Sequence, residues 1–283
     1  MKSSLAQLEQ FRDEIRLLTL KELEHRGFGH YGGSLSIVET LAVLYGEVMN
    51  YDPTNPTWDE RDYFILSKGH AGPALYAALS LKGFFPQEML YTLNANGTHL
   101  PSHPDRNLTP GIDMTTGSLG QGISVAAGVA LSHKLSNKDN YTYTIVGDGE
   151  LNEGQCWEAF MFAAHHKLHN LIVFIDNNKK QLDGPTESII NPFDFEEKCK
   201  SFGFYTRKVN GACLESIYNA IKLGQAQSDK PVAIILDTVK GQGVPYIENI
   251  DANHHIRPSE KDHVAILEAI SQLEVAINKE AVS

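Results

Sequence analysis

The chain predicts a three-layer α/β/α fold with a mostly parallel central sheet, and three observations carry that expectation. Four runs rich in apolar and β-branched residues, at 63–66, 141–146, 171–175 and 232–239, have the length of strands and no charged residue apart from Asp237. Strands that read as continuous apolar runs are buried on both faces, which is the mark of a parallel sheet. Helical stretches separate the runs, as crossover connections require. Polar and glycine-rich punctuation falls just after the runs, where open α/β sheets bind ligands.

Taken in order, Leu5, Leu8, Phe11, Ile15 and Leu18 recur on a charged background and predict an amphipathic helix over 5–26. A Gly-rich loop at 27–33 and an apolar helix at 36–48 follow, and the two prolines of 51–58 make a connector. The run at 63–66 stops at Ser67-Lys68-Gly69-His70, and Pro73 then stands where a helix tolerates proline. Residues 94–110, with three prolines and two histidines, read as a surface loop. A Gly-rich turn opens into a helix of small residues over 114–132. The next strand ends at Gly147-Asp148-Gly149, a helix spans about 155–166, and the strand at 171–175 runs into Asp176-Asn177-Asn178. The last strand empties into Gly241-Gln242-Gly243, and a closing helix covers about 259–277.

Composition narrows the function. At roughly 150 residues per domain, 283 residues make one or two domains, and the reading is a single one over 1–283. Apolar residues are 42% and charged residues 21%, enough to bury a core without disulfides. Net charge is −11 and the basic residues are scattered, so neither nucleic acid nor an anionic membrane is an expected partner. Three irregularly spaced cysteines form no framework and no zinc pair. The charged N-terminus resembles no signal or transit peptide, and the glycines, threonines and glutamines of 114–132 make a poor membrane span. A reducing, cytoplasmic setting is expected.

The strongest chemical signal is Gly147-Asp148-Gly149 followed thirty positions after Asp148 by Asn178. A carboxylate and an amide oxygen at two strand ends can face one hard cation such as magnesium, which completes its shell with phosphate oxygens and water. Gly149 lets backbone amides approach a phosphate near a helix start. Among twelve histidines, His30, His70 and His103 stand beside glycine or proline in loops and are the functional candidates. His25, His165, His166 and His169 read as helix residues, and Cys156, Trp157 and Phe160 as packing.

The strand–helix–strand context from Gly147 to Asn178 resembles the thiamin diphosphate-binding motif. More widely, the chain resembles the N-terminal, diphosphate-binding part of transketolase. Gly29-His30-Tyr31-Gly32-Gly33, Leu66-Ser67-Lys68-Gly69-His70-Ala71, Ser102-His103-Pro104, the 115–122 run around Gly117-Ser118-Leu119, and the 147–154 run appear in the family's order over about 10–245. The resemblance implies a thiamin diphosphate-binding fold and two-carbon ketol transfer from a ketose to an aldose, both commonly phosphorylated. It implies that Asp148, Asn178 and the Lys180 carbonyl hold magnesium, with calcium as the alternative cation, and that His70 and the Gly149 amide contact the diphosphate. Gly117 would accept from the aminopyrimidine, Ser118 and Leu119 would flank it, and His30 and His103 would bind donor hydroxyls. Glu153, with Glu158, would join a buried carboxylate network between paired sites. A family histidine near the diphosphate and the reacting carbons matches His254, although no glycine follows it and His255 competes.

Length is the larger departure. Complete transketolases continue into a pyrimidine-binding domain, which carries the activating glutamate, and a third domain. The resemblance is therefore to the shorter subunit of a split enzyme, whose partner chain supplies that glutamate and the phosphate-binding arginines. A heterotetramer with two copies of each chain is implied. Related thiamin-dependent synthases, transketolases for branched, deoxy or sulfonated ketoses, and a silent cofactor-binding scaffold are the competing readings.

Overall fold

A computed structural model describes residues 3–280. Helix α1, Leu5–Arg26, opens on a reciprocal cap: the Ser4 hydroxyl accepts from the Gln7 amide at 3.2 Å, and the Gln7 side chain accepts from the Ser4 amide at 2.8 Å. It closes on Gly27, whose left-handed φ of 78° lets its N–H reach the carbonyls of Leu23 and Glu24.

The chain then departs from the expected glycine loop. Helix α2, Tyr31–Leu35, begins inside it, and α3, Val38–Val43, follows and widens into a π turn at Leu44–Val48. Gly32 and Gly33 serve close packing rather than a turn. A Cβ at Gly33 would lie 2.8 Å from His70 Nε2, and one at Gly32 would lie 2.8 Å from Lys240 Cγ. Tertiary proximity thus overrides the low helix propensity of glycine.

The sheet consists of β1 (Tyr63–Leu66), β2 (Thr142–Gly147), β3 (Leu171–Asn177), β6 (Tyr205–Asn210) and β7 (Val232–Asp237), all parallel in the order β1-β2-β3-β7-β6. Side chains alternate across it. Ile172 and Phe174 join one core cluster, with Leu8, Ile15, Leu41 and Ile217. Leu171, Val173 and Ile175 join the other, with Ala126, Phe160 and Phe204. That alternation makes three layers. Helices α4 (Gly72–Leu81), α9 (Leu214–Gln225) and α11 (Glu260–Glu280) lie on the α1 side. Helices α5 (Gln121–Leu135), α6 (Gly154–His165) and α8 (Phe195–Ser201) lie on the opposite face. Residues Lys180–Gln181 (β4) and Gly184–Pro185 (β5) form a two-residue antiparallel hairpin that leads into a single turn, α7 (Thr186–Ile189); α10 is the short Pro245–Glu248 helix.

Strand β6 and helices α8 and α9 were not expected. The edge strand carries exposed Arg207 and Lys208, so it lacks the apolar run that marks the central strands. The 94–110 segment holds no helix or strand, as expected, but it is not wholly superficial: Leu100 and Thr109 are buried, and Tyr76 donates to the Pro101 carbonyl at 2.8 Å. No helix among the described residues is long and apolar enough to cross a membrane.

One core group is costly. Glu22 of α1 is fully buried, and neither carboxyl oxygen has a hydrogen-bond partner. Burial raises its pKa well above the usual range, so the fold keeps it protonated. The unfolded chain releases that proton above a pH of about 4.3. Stability therefore falls as pH rises from there toward the folded-state pKa. Glu22→Met is expected to raise the melting temperature at pH 8 by roughly 3–10 °C, with a smaller gain at pH 5. Calorimetric melts at both pH values check this, and an equal or reversed gap contradicts it.

Candidate active site

The carboxyl ends of β1, β2, β3 and β7 open on one side of the sheet, and their turns line a cavity of about 230 Å³. This is the ligand position that parallel-sheet geometry dictates. The cavity is lined by His30, His70, His103, His254, Gly117, Leu119, Asp148, Gly149, Asn178 and Lys180, so ten of the twelve expected site residues come together. Ser118 and Glu153 do not line it.

Asp148 is 3% exposed. Its Oδ1 accepts from the Gly149 amide at 2.8 Å and its Oδ2 from the Lys179 amide at 2.6 Å. Burial, reinforced by neighbouring Asp176, pushes its pKa up to about 7 against those two bonds. No basic side chain pairs with it among the described residues. Asn178 is held by its own amide: Nδ2 donates to Asp176 at 2.8 Å, while Oδ1 accepts from the Lys180 amide at 3.1 Å.

Asp176 organises this corner. It pairs with Lys68 at 2.6 Å, and it accepts from Ser36 at 2.7 Å and Thr238 at 2.5 Å. Burial alone would raise its pKa, yet Lys68 and these hydrogen bonds hold it below the usual carboxylate value. Lys68 also donates to the Gly33 carbonyl at 2.7 Å, which ties the β1 turn to α2.

Glu150 plays the matching part on the other side. It accepts from Ser67 Oγ at 2.5 Å, the Gly120 amide at 2.8 Å and the Gly147 amide at 3.0 Å, joining the ends of β1 and β2 to the start of α5 through one buried carboxyl. Glu153 and Glu158 are exposed on this chain, and the buried carboxyl of the turn is Glu150. Ser118 is likewise exposed, because the turn that brings Gly117 and Leu119 to the cavity points it outward. Gly117 has φ 142°, and a Cβ there would crowd the His103 ring at 3.1 Å.

The histidines form one cluster. The His30 ring lies 5.5 Å from His70, 5.7 Å from His103 and 5.3 Å from His254, and His70 lies 4.7 Å from His254. His254 lines the cavity, whereas His255 stands exposed outside it. Burial, then His255 and His103, lowers the His30 pKa to about 4. Burial, then Lys240, lowers that of His254 to about 3. His70 and His103 are lowered chiefly by burial. All four are therefore neutral at physiological pH, each with one N–H donor and one acceptor nitrogen.

Lys240 completes the wall. Its Nζ lies 2.9 Å from the Lys180 carbonyl and 3.0 Å from His254 Nδ1. An ammonium only donates, so His254 Nδ1 accepts and its proton sits on Nε2. Burial, with Lys68 adding to it, lowers the Lys240 pKa to about 8. Lys68, Glu150, Asp176 and Lys240 are the site residues sequence reasoning missed. The signal was present, since Lys68, Glu150 and Lys240 each adjoin a glycine and Asp176 stands two residues before Asn178, but charge beside a turn has no meaning until its burial is known.

The donors suit a hard cation and a diphosphate. No three His, Cys, Asp or Glu side chains among the described residues are grouped to hold a metal by themselves. Glu150 is taken up by Ser67 and two backbone amides, which leaves Asp148, a buried carboxylate without a countercharge, with the Asn178 amide oxygen and Lys180, a set magnesium accepts when phosphate oxygens fill the rest of its shell. Beside it stand neutral histidines and the Gly149 amide, where a Cβ would meet Gln181 at 2.7 Å.

A parallel α/β fold with this mixed oxygen corner defines a diphosphate-cofactor protein. Residues 8–275 match the family described as transketolase, thiamine diphosphate binding domain, and the chain belongs to the transketolase family. It is 49% identical over 268 residues to the 6-deoxy-6-sulfo-D-fructose transketolase subunit SqwG of Clostridium sp. (strain MSTE9), covering 94% of this chain and 96% of that one. It is 36% identical over 252 residues to a subunit of the apulose-4-phosphate transketolase of Phocaeicola vulgatus, covering 89% of each. The transketolase from Leishmania mexicana superposes with a TM-score of 0.85 at 29% identity, covering 99% of this chain but 45% of that one. The chain thus spans almost all of the subunit relatives and less than half of the solved transketolase.

Proposed function

We propose that this chain is the diphosphate- and metal-holding subunit of a split transketolase that moves a two-carbon ketol unit from a modified ketose to an aldose. The observation that carries the reading is the contrast in coverage: 96% of a relative that is itself named as one subunit, and 45% of a solved transketolase. The 49% identity to a subunit named for a sulfonated fructose favours a ketose with an altered end over an ordinary pentose phosphate.

In this reading Asp148, Asn178 and the Lys180 carbonyl hold magnesium, and His70 with the Gly149 amide meets the diphosphate. Thiamin diphosphate supplies the electron sink for cleaving and forming the carbon–carbon bond. His30 and His103, neutral and half-buried, donate to and accept from the donor's hydroxyls. Neutral imidazoles suit that task, since they exchange protons with hydroxyls without placing fixed charge against a sugar. Glu153 and Glu158, exposed here, face the partner chain. That chain brings the pyrimidine-binding domain and its glutamate, two copies of each chain form the assembly, and the cytoplasm is its setting.

The test is aldose release from 6-deoxy-6-sulfofructose and from xylulose 5-phosphate, with ribose 5-phosphate as acceptor, thiamin diphosphate and magnesium. Activity is expected only when the chain is co-purified with the protein encoded beside it, and to be higher with the sulfonated donor. Turnover by this chain alone overturns the split-site reading. A stable, cofactor-loaded pair that turns over neither donor overturns the assignment to these ketoses.

A further inference from the structure

Outside the cavity lies a basic cluster that the site chemistry leaves unused. Gly29 and Ile256 form an antiparallel bridge, Gly29 N–H to Ile256 O at 3.0 Å and Ile256 N–H to Gly29 O at 2.9 Å. Such a bridge sets residue 28 opposite 257 and residue 30 opposite 255, with the four side chains on one face. The ring contacts agree. His30 lies 4.8 Å from His255, Phe28 lies 5.9 Å from His255, and the Arg257 guanidinium sits 5.5 Å from the centre of the Phe28 ring. Arg26, from the last turn of α1, places its guanidinium 4.5 Å from the same ring centre. Two arginines that are 231 positions apart in sequence (257 − 26) thus share one phenylalanine.

Neither guanidinium has a carboxylate partner within ion-pair distance among the described residues, and Arg26 Nε is buried without any hydrogen-bond partner. That is unusual in a chain with 35 acidic and 24 basic residues. Like charges held together on one ring repel, and a bound anion relieves the repulsion. An arginine offers a planar fork of donors that matches the oxygens of a phosphate or sulfonate, and stacking on an aromatic ring fixes the fork before the anion arrives. From residue 30 to residue 28 the face advances about 7 Å, the scale of an extended pentose or hexose whose inner hydroxyls lie at His30.

The geometry points to an anion subsite on this chain, formed by Arg26, Arg257 and His255, that takes the phosphate or sulfonate at the far end of the ketose. It rests on the ketol-transfer reading and deepens it: the end-group contact would not come from the partner chain alone.

Arg257→Gln in the cofactor-loaded complex with the partner chain tests this, with fructose 6-phosphate, 6-deoxy-6-sulfofructose and uncharged fructose as donors. KM for the anionic ketoses is expected to rise about 10- to 100-fold, with kcat and the fructose KM within about twofold and Arg257→Lys intermediate. The phosphate and sulfonate arms separate the two sources, the larger change marking the anion the subsite fits. An unchanged KM for both anionic donors, or an equal loss for all three, overturns the subsite. If the wild-type complex turns over no ketose, the ketol-transfer reading has failed, and the subsite is read by calorimetric titration of the full chain with inorganic phosphate. Binding about tenfold weaker in Arg257→Gln then upholds it, and equal affinity overturns it.

Discussion

Asp148→Asn abolishes magnesium-dependent binding of thiamin diphosphate while leaving the cofactor-free protein folded. The expectation follows from the donor set. Asp148 is the one charged group among the three donors proposed for the metal, Asp148, Asn178 and the Lys180 carbonyl, and amide and carbonyl oxygens alone do not dehydrate a small divalent ion. Partners that merely orient a ligand are worth about 10–100-fold in metal affinity, so loss of the charged ligand itself costs more than about 100-fold. The variant also separates site from fold. Without a cation, Asp148 is a buried carboxyl beside Asp176, and an amide there removes a like-charge contact and a desolvation penalty. Against that gain, the amide nitrogen leaves either the Gly149 or the Lys179 N–H without its acceptor, so the melting temperature of the cofactor-free variant is expected to stay within about 5 °C of the wild type. Calorimetry with and without chelator reads the first effect and a thermal melt the second. Unaltered cofactor affinity removes Asp148 from the metal site.

Lys68→Met lowers stability by about 3–5 kcal/mol, a fall of roughly 6–20 °C in melting temperature. Lys68 and Asp176 are 1% and 0% exposed in their side chains and lie 2.6 Å apart. Breaking such a pair is costly because the remaining charge stays buried, although an apolar replacement of both is often neutral. The double variant Lys68→Met with Asp176→Leu is accordingly expected to recover most of the stability that the single change loses. It will not recover the site. Asp176 is the group on which the Asn178 amide is anchored, so cofactor binding stays weak in the double variant. A single variant that melts within about 2 °C of the wild type shows that Asp176 keeps its charge compensated by Ser36 and Thr238 without Lys68.

Much of the fold was legible because burial on both faces leaves a local trace. The runs that became β2, β3 and β7 carry no charged residue until Asp176 and Asp237 at the ends of β3 and β7, and that pattern survives in one dimension. Edge strand β6 left none, since its Arg207 and Lys208 face solvent and its partner on that side is water. Glycine was read by its commonest use. At Gly27 that was right, for the residue caps a helix in the left-handed region, but at Gly32 and Gly33 the absent side chain makes room for Lys240 and His70. A sequence shows that a residue is small and not what approaches it.

Most of the candidate site was legible too, and for a chemical reason. Asp148 and Asn178 stand at the ends of consecutive parallel strands, so strand–helix–strand spacing alone puts them at one edge of the sheet. Two of the expected site residues lie off the cavity of this chain. Ser118 and Glu153 lie in the right turns but point away from the cavity, and the side on which a turn residue projects depends on backbone angles that spacing does not specify.

The sequence by itself determined the layer architecture, the strand-end position of the carboxylate and amide, and the resemblance to one enzyme family. These are properties of short segments, whose periodicity and turn residues express local backbone preference. The tertiary structure decided which charges face each other: Lys68 with Asp176, Glu150 with the ends of β1 and β2 and the start of α5, Arg26 with Arg257 across one phenylalanine. Those contacts depend on strand order and on exclusion of water, and electrostatic energy in a buried corner is set by distance and desolvation, neither of which is written in the spacing along the chain.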